Sequence, residues 1–166
     1  MSVEIKEVSG KDELQEIAVL AEEIWHECFV GIISYGQIDY MVEKFQSFRA
    51  MTEQTEQQGY KYLAVRDCGE LCGYIGIKPE TDDRLFLSKL YLRSDKRGHG
   101  TASLMLGRVF EEAEKAGKNR VYLTVNKHND HAVDVYRKKG FVRIAEAVTD
   151  IGGGYVMDDF IMEYTL

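Results

Sequence analysis

The stretch that decides the fold is "LYLRSDKRGHGTASLML", residues 90–106. An apolar run ends at Leu92, a polar segment with two glycines follows, and a second apolar run begins at Ala102. A strand that passes through Gly-x-Gly directly into a helix presents unpaired backbone N–H groups and the positive end of the helix dipole to one point. We therefore expect this loop to bind a phosphate group, with Arg97 supplying a fixed positive charge.

Two common phosphate loops do not match this stretch. A P-loop requires Gly-Lys followed by Ser or Thr at the helix start, and "RGHGTAS" has no lysine there. The dinucleotide pattern G-x-G-x-x-G fails because the residue three after Gly100 is Ser103. What remains is a short loop for a diphosphate that binds without a metal. Gly-x-Gly is also ordinary turn chemistry, so the loop needs a second signal to be specific.

Composition limits the class of protein. With 166 residues, 45% hydrophobic and 30% charged, we expect one domain over residues 1–166. The net charge of -7 argues against nucleic acid or an anionic membrane as a partner. No apolar stretch reaches about 18 residues, and the first ten residues lack the order of a signal peptide. The sequence thus predicts a cytoplasmic protein.

Cysteine and histidine residues give no metal site. Cys28, Cys68 and Cys72 are odd in number and lack CxxC spacing, so we interpret them as buried small hydrophobic residues. His128 and His131 could share a helix face, but no third ligand stands at a useful spacing. We predict a solvated helix start there and no bound metal.

Hydrophobic periodicity predicts the order of secondary structure. The order is a strand, helices, three strands, a helix, a strand, a helix and two strands. Ser9 with Asp12 marks the start of the first helix, and Gly59 is suited to end the helical segment before the first hairpin. Asn129 is suited to cap the last helix and Gly140 to end it. Strands are predicted at residues 2–7, 84–94, 120–126, 141–148 and 155–166. Two further strands lie within residues 60–80 and form a hairpin that turns at 67–70. The helices lie within residues 9–28, 29–59, 102–116 and 129–140.

Two segments together resemble one family. "RGHGTA" at 97–102 matches the R/Q-x-x-G-x-G/A signature of the GCN5-related N-acetyltransferases, the GNAT family. "VNKHNDHAVDVYRKKGF" at 125–141 resembles their second signature, Asn-x-x-Ala followed by Tyr and then Gly-Phe. The resemblance implies an α/β (α+β) fold: a central mixed, mostly antiparallel sheet of about seven strands, flanked by about four helices and splayed at its middle strands.

The resemblance also implies a cofactor and the residues that bind it. The cofactor is acetyl-CoA, with its pyrophosphate on the backbone amides of the glycine loop. Its pantetheine arm pairs with the strand before the loop, which splays from the strand "VYLTV". Asn129 contacts the cofactor as well. The implied cofactor-binding residues are Leu90, Tyr91, Leu92, Arg97, Gly98, His99, Gly100, Thr101, Ala102, Asn129, Ala132 and Tyr136.

Tyr136 has two interpretations. Its spacing places it on an apolar helix face with Ala132 and Val135, which by itself indicates a core aromatic residue. The resemblance implies instead a catalytic residue, the general acid that protonates the leaving thiolate as an amine attacks the thioester carbonyl. A phenol with a pKa near 10 is suited to protonate a thiolate with a pKa near 8 to 9.

The general base and the acceptor are less defined. Many members of the family carry a Glu on the strand before the loop, whereas this strand reads "LFLSKLYL". A water chain or an acidic residue such as Glu23, Glu27, Asp39 or Glu43 could serve instead, and the same carboxylates could simply solvate two helices. Because carboxylates and aromatic rings attract ammonium groups, we predict a small cationic amine, preferably with a second positive charge. The predicted substrate contacts are Trp25, Glu27, Tyr35 and Asp39.

A second class of function remains compatible with the sequence. Without an obvious base, the chain could be a non-catalytic module of the same fold that binds acyl-CoA, or one that binds a partner protein through residues 29–59. A homodimer is also compatible with the sequence. Tyr136 favours the enzyme, an N-acetyltransferase whose acceptor amine the sequence does not identify.

Overall fold

The computed structural model describes residues 2–166. Its seven strands form one sheet with the strand order β1-β2-β3-β4-β5-β7-β6. Each predicted strand is present. The strands are β1 Val3–Glu7, β2 Lys61–Asp67, β3 Glu70–Pro79, β4 Arg84–Leu92, β5 Arg120–Asn126, β6 Val142–Gly152 and β7 Tyr155–Thr165.

The pairing of β4 with β5 divides the sheet into two halves. The other neighbouring strands in the described chain are antiparallel, whereas β4 and β5 are parallel and pair only at residues 84–86 with 120–122. Beyond Phe86 and Tyr122 the two strands diverge. The predicted mixed sheet with a splay at its middle strands is therefore confirmed.

The helices follow the predicted order, with α2 and α3 forming one helical run. They are α1 Lys11–Cys28, α2 Tyr35–Met41, a π-helical turn Val42–Gln46, α3 Phe48–Gln57, α4 Thr101–Lys115 and α5 Asp130–Lys138. Gly59, with φ of 77°, follows the end of α3 as predicted. No helix within residues 2–166 is both long enough and apolar enough to cross a membrane.

The start of α1 differs from the prediction. Ser9 does not cap the helix, because Gly10 occupies the N-cap position and no side chain caps it. The backbone N–H of Ser9 instead donates to the Glu13 carboxylate at 3.1 Å. The helix was predicted from its apolar spacing, and that spacing is correct, but the capping residue was wrong.

The turn between β2 and β3 corrects the interpretation of the cysteines. Cys68 and Gly69 both have positive φ, 51° and 84°, as a two-residue hairpin turn requires. This conformation leaves Cys68 exposed, and Cys28 is only partly buried. Of the three cysteines predicted to be buried, Cys72 alone is, so the prediction was wrong for Cys28 and Cys68.

The core lies on both faces of the sheet. Because side chains alternate along a strand, Leu63 and Val65 of β2 pack in the cluster formed with α4 and α5. Tyr62 and Ala64 face the opposite side, where α1 and α3 pack. We call these the α4–α5 face and the α1–α3 face. Any opening through the sheet connects the two.

Gly73 of β3 allows β3 to lie close to β4 beside the splay. A Cβ atom at Gly73 would lie 2.6 Å from the Tyr91 backbone oxygen, whereas one at Gly107, on the exposed side of α4, would meet no atom within 4 Å. We expect Gly73→Ala to lower the free energy of unfolding by about 1–3 kcal/mol through overpacking. Gly107→Ala should raise it by about 0.5–1 kcal/mol, since alanine favours a helix. Urea denaturation of both variants measures this, and equal stabilities would contradict the packing argument.

Candidate active site

A cavity of about 830 Å³ passes through the gap between β4 and β5. It is lined from the α4–α5 face by the glycine loop, α4 and α5, and from the α1–α3 face by the end of α1, α2 and the π-helical turn. The gap therefore joins the phosphate loop predicted from sequence to the opposite side of the sheet.

The glycine loop is built to leave backbone groups accessible. Gly98 and Gly100 have φ of 80° and 82°, in the left-handed region that favours glycine. Gly100 is the N-cap of α4, and no side chain caps this helix. The N–H groups of the first helical turn and the positive end of the dipole thus lie at the cavity edge, where an anion would be stabilised.

Arg97 is fixed at the same edge. Its Nε and Nη2 donate to the Leu92 carbonyl at 3.3 and 3.2 Å, and Nη2 lies 2.7 Å from the Cys28 sulfur. These contacts hold the guanidinium between the end of β4 and the end of α1. The residue that sequence reasoning chose for fixed positive charge is therefore positioned beside the loop.

The facing edges of β4 and β5 contribute the walls of the gap. Leu90 and Leu92 line it from β4, and Leu123 and Val125 from β5. β4 remains paired with β3 through Leu92, so only its inner edge is open. An open strand edge offers N–H and C=O groups to an extended ligand.

Helix α5 brings three predicted residues to the cavity. Asn129 caps the helix, its side-chain oxygen accepting from the Ala132 N–H at 3.3 Å. Asn129, Ala132 and Tyr136 all line the cavity. The predicted cap is confirmed, while the cofactor contact predicted for Asn129 stays a prediction.

Tyr136 packs in the core and also lines the cavity. Its ring packs edge-on against Phe141 with centroids 5.5 Å apart, as a core residue would. Its side chain also lines the cavity, and its hydroxyl has no hydrogen-bond partner among residues 2–166. Burial raises the pKa of Tyr136 to about 12, so the phenol stays protonated at neutral pH.

On the α1–α3 face the cavity wall is aromatic and apolar. Trp25 stacks on Phe29 with ring centroids 4.3 Å apart, and Tyr91 lies 5.6 Å from Trp25. The remaining apolar residues of this wall are Ile32, Ile33, Met41, Phe45 and Met157. We call this part of the cavity the aromatic end.

The β6–β7 hairpin closes the aromatic end. The Tyr40 hydroxyl donates to the Ile151 carbonyl at 2.6 Å, and the Gln37 side chain donates to the Val156 carbonyl at 2.8 Å. The side chain of Ile151 packs in one cluster with Trp25. The tip of the last hairpin is therefore part of the same wall as α1 and α2.

Three of the four predicted substrate residues lie outside the cavity lining. Trp25 belongs to the aromatic end, whereas Tyr35 is 66% exposed. Asp39 accepts from His26 Nε2 at 2.7 Å, and Glu27 accepts from the Ser94 hydroxyl at 3.1 Å. The assignment of Glu27, Tyr35 and Asp39 to the substrate stays a prediction that the shape of the cavity does not support.

Lys89 is a buried amine in the β4 segment where a carboxylate was sought. Its Nζ donates to the Gln54 side chain at 2.9 Å and to the oxygens of Phe45 and Tyr62. Burial holds the pKa of Lys89 well below its ordinary value. The amine connects β4 to the π-helical turn and α3, and its three oxygen partners all lie within the protein.

Asp159 was missed by sequence reasoning. It lies on β7, lines the cavity and is only 6% exposed. Burial first, and then the neighbouring Asp158, raise its pKa to about 6. The one available signal was the strand period in "YVMDDFIMEY", because alternation turns one of two adjacent aspartates inward. The direction in which it turns was not predictable from the pattern.

The histidine positions complete the set of predicted residues. His131 lines the cavity, whereas His99 and Thr101 do not, although Thr101 is buried beside Gly100. His128 is exposed at the start of α5. Over residues 2–166 no group of three or more His, Cys, Asp or Glu side chains is arranged to hold a metal ion.

Comparison with known proteins places the chain among acetyltransferases. Residues 18–141 match the profile of the acetyltransferase (GNAT) family. An uncharacterized N-acetyltransferase of Mycobacterium bovis is 34% identical over 100 residues, which cover 60% of this chain and 64% of that relative's length. The spermine/spermidine N(1)-acetyltransferase of Bacillus subtilis is 25% identical, over 66% of this chain and 75% of its own length. The PaiA N-acetyltransferase of Thermoplasma acidophilum, solved in complex with coenzyme A, superposes over 100% of both chains with a TM-score of 0.81 at 24% identity, and so shares the fold.

The three cysteines provide a test of the cavity geometry. Cys68 is exposed, Cys28 is partly buried at the cavity, and Cys72 is buried with its pKa raised by burial. Since the thiolate is the reactive form, we expect alkylation by iodoacetamide in the order Cys68, Cys28, Cys72. Peptide mass spectrometry measures the rates, with the urea-unfolded chain as the control that removes the differences. Rapid modification of Cys72 in the folded protein would contradict this arrangement.

Proposed function

Because the chain belongs to the acetyltransferase (GNAT) family, we propose that it transfers the acetyl group of acetyl-CoA to a primary amine. The observation that carries this proposal is the single cavity that runs from the glycine loop, through the splayed strands, to the aromatic end. Two substrates can approach from opposite faces of the sheet and meet in the gap between β4 and β5.

The residues at the α4–α5 face fit a diphosphate joined to an extended arm. The positive φ of Gly98 and Gly100 exposes backbone N–H groups, and a Cβ atom at either glycine would meet no protein atom within 4 Å. Arg97 adds a fixed cation, and the open inner edge of β4 is suited to the peptide-like groups of pantetheine. When bound, acetyl-CoA supplies an acetyl group activated as a thioester.

Tyr136 is the residue that we assign as the general acid. It lines the gap, its hydroxyl has no partner among residues 2–166, and its raised pKa of about 12 keeps the proton on the phenol. As the amine nitrogen bonds to the acetyl carbon and the carbon–sulfur bond breaks, this hydroxyl donates its proton to the leaving sulfur.

The acceptor is an amine that is cationic in water. Carbonyl chemistry requires the neutral amine, and an apolar, aromatic cavity favours that form by partial desolvation. The Bacillus subtilis relative, which is 25% identical, is named as an acetyltransferase of the amines spermine and spermidine, and this name supports an amine acceptor. A module that only bound acyl-CoA would release no CoA with any amine, so a panel of amines distinguishes the two functions.

Substitution of Gly100 tests the loop. We expect Gly100→Val to weaken CoA binding about tenfold or more, corresponding to about 1.4 kcal/mol, because the side chain obstructs the approach to the backbone N–H groups. Gly117→Val is the matched control, since Gly117 has φ of 73° at the opposite end of α4 with no atom within 4 Å of its Cβ position. Both variants carry the left-handed strain of about 1–2 kcal/mol. Unchanged affinity by calorimetry in folded Gly100→Val would exclude the loop as the diphosphate site.

Removal of one hydroxyl tests the acid. Tyr136→Phe should lower kcat by about 10²–10⁴-fold and leave CoA affinity unchanged, because only the phenolic proton is lost. Tyr164→Phe is the control, because Tyr164 packs against the same Phe141, at 5.5 Å, but lies outside the cavity lining. Turnover equal to that of the parent in Tyr136→Phe would mean that Tyr136 serves in packing alone.

A further inference from the structure

Asp159 is a buried carboxylate without a partner. Its side chain has no hydrogen bond and no ion pair with any residue of the described chain, although the residue is only 6% exposed. Its neighbour Asp158 differs, because that carboxylate lies 3.1 Å from the Lys127 amine. A buried carboxylate that lacks a partner destabilises the folded state. Such a group is retained most readily where a ligand supplies the partner.

The position of Asp159 indicates which ligand this is. Tyr155, Met157 and Asp159 alternate on β7, and Tyr155 and Met157 pack in the cluster of the aromatic end. Asp159 therefore lies on the α1–α3 face, opposite the glycine loop. Burial raises the pKa of Tyr91, and the charges of Tyr136 and Asp159 raise it further; all three side chains line the cavity.

Asp159 is the one carboxylate among the described residues that line the cavity. Glu27 and Asp39, the acidic residues favoured by the sequence, lie outside the lining and have partners of their own. The rest of the lining on this face consists of rings, aliphatic side chains, the uncharged polar side chains of Gln37, Gln46, Gln54 and Ser88, and the amine of Lys89. The cavity thus provides one negative charge for a ligand.

On the basis of the proposed function, we propose that Asp159 binds the ammonium group of the acceptor and takes its proton, acting as the general base. The corresponding substrate class is a primary amine with one positive charge and an apolar or aromatic body that packs against Trp25, Phe29 and Tyr91. A second positive charge, which the sequence favoured, would find no second carboxylate in the described lining.

The protons and electrons of this step balance. One ammonium proton passes to Asp159, and the nitrogen lone pair then forms the bond to the acetyl carbon. The carbon–sulfur bond breaks, and its electron pair leaves on sulfur, which takes the proton of Tyr136. The nitrogen loses its second proton as the amide forms, and this proton restores Tyr136 through solvent. Asp159 releases its proton to solvent, so that one proton is released per turnover.

Burial brings the pKa of Asp159 and the pKa of the bound ammonium group closer together. A carboxyl with a pKa of about 6 is a stronger base than an ordinary aspartate, and the same apolar surroundings lower the pKa of a bound ammonium group. Asp158 on the same strand also raises the pKa of Asp159. The other titratable or charged groups around Asp159 and its cavity are Cys28 on α1, Tyr60 before β2, Lys89 and Tyr91 on β4, Arg97 in the loop, Lys127 after β5, and His131 and Tyr136 on α5.

The pH profile of Asp159→Asn tests the proposal, with 2-phenylethylamine as the acceptor. We expect the wild-type kcat/KM to rise with pH around an apparent pKa near 6, and the variant to lose about 10²–10⁴-fold in rate together with this acidic limb. Asp158→Asn should keep the limb, moved slightly to lower pH, because its carboxylate raises the pKa of Asp159. CoA affinity should be unchanged in both variants.

Stability gives a second measurement that does not depend on activity. The pKa of Asp159 is raised from 3.8 in the unfolded chain to about 6 in the folded protein. The folded protein therefore loses stability as the pH rises from about 3.8 to about 6, and the loss is complete above that range. The difference in melting temperature between Asp159→Asn and wild type should therefore be larger, in favour of the variant, at pH 8 than at pH 4. A variant that is less stable than wild type at both pH values would show a structural role and overturn the proposal.

The outcomes separate this inference from the proposed function. Wild-type protein that releases no CoA with 2-phenylethylamine, spermidine or any other amine overturns both. An active wild type whose Asp159→Asn variant keeps its rate and acidic limb overturns the role of Asp159 alone. Faster acetylation of spermidine than of 2-phenylethylamine overturns the substrate class, whereas the reverse preference, with glutamate the poorest acceptor, supports it.

Discussion

The early end of hydrogen bonding between β4 and β5 determines where everything else in the site can lie. Only residues 84–86 pair with 120–122, while β4 stays bonded to β3 and β5 to β7 along most of their length. The sheet can therefore open in its middle without losing either half. Because parallel strands need a long crossover, the chain must leave β4 and return through α4. This crossover brings the glycine loop to the mouth of the opening.

Lys89 and Asp159, two ionisable side chains buried at the α1–α3 side of the cavity, differ in whether they have hydrogen-bond partners. Lys89 has three oxygen acceptors, contributed by two side chains and one backbone carbonyl, so all of its donors are satisfied inside the protein. Asp159 has none. A satisfied buried group fixes the positions of the elements around it, whereas an unsatisfied one is available to something that enters. The difference between structural and functional polarity in this cavity thus follows from counting partners rather than from the type of residue.

Sequence patterns predicted the features that depend on local chemistry. The loop at residues 97–102, the cap at Asn129 and the order of strands and helices each follow from a few adjacent residues, and all are present. Features that depend on which distant elements meet were not predictable. The sequence did not show that Glu27 and Asp39 have hydrogen-bond partners 67 and 13 positions away, and Asp159 gave no signal until β7 was aligned with the gap. Cys68 was misassigned because the number and spacing of the cysteines excluded a disulfide or metal site but did not show that Cys68 lies exposed in the two-residue turn between β2 and β3.

The hydrogen bonds between the β6–β7 hairpin and α2 also determine when the site can form during synthesis. Tyr40 and Ile151 are 111 positions apart, and Gln37 and Val156 are 119 apart, so these contacts are among the most distant in the chain. The glycine loop and α4, by contrast, are formed by neighbouring residues. Contacts of such separation carry a larger loop-closure entropy, and during synthesis they cannot form before the final strands emerge. Emergence of β6 and β7 from the ribosome is therefore the event that completes the aromatic end.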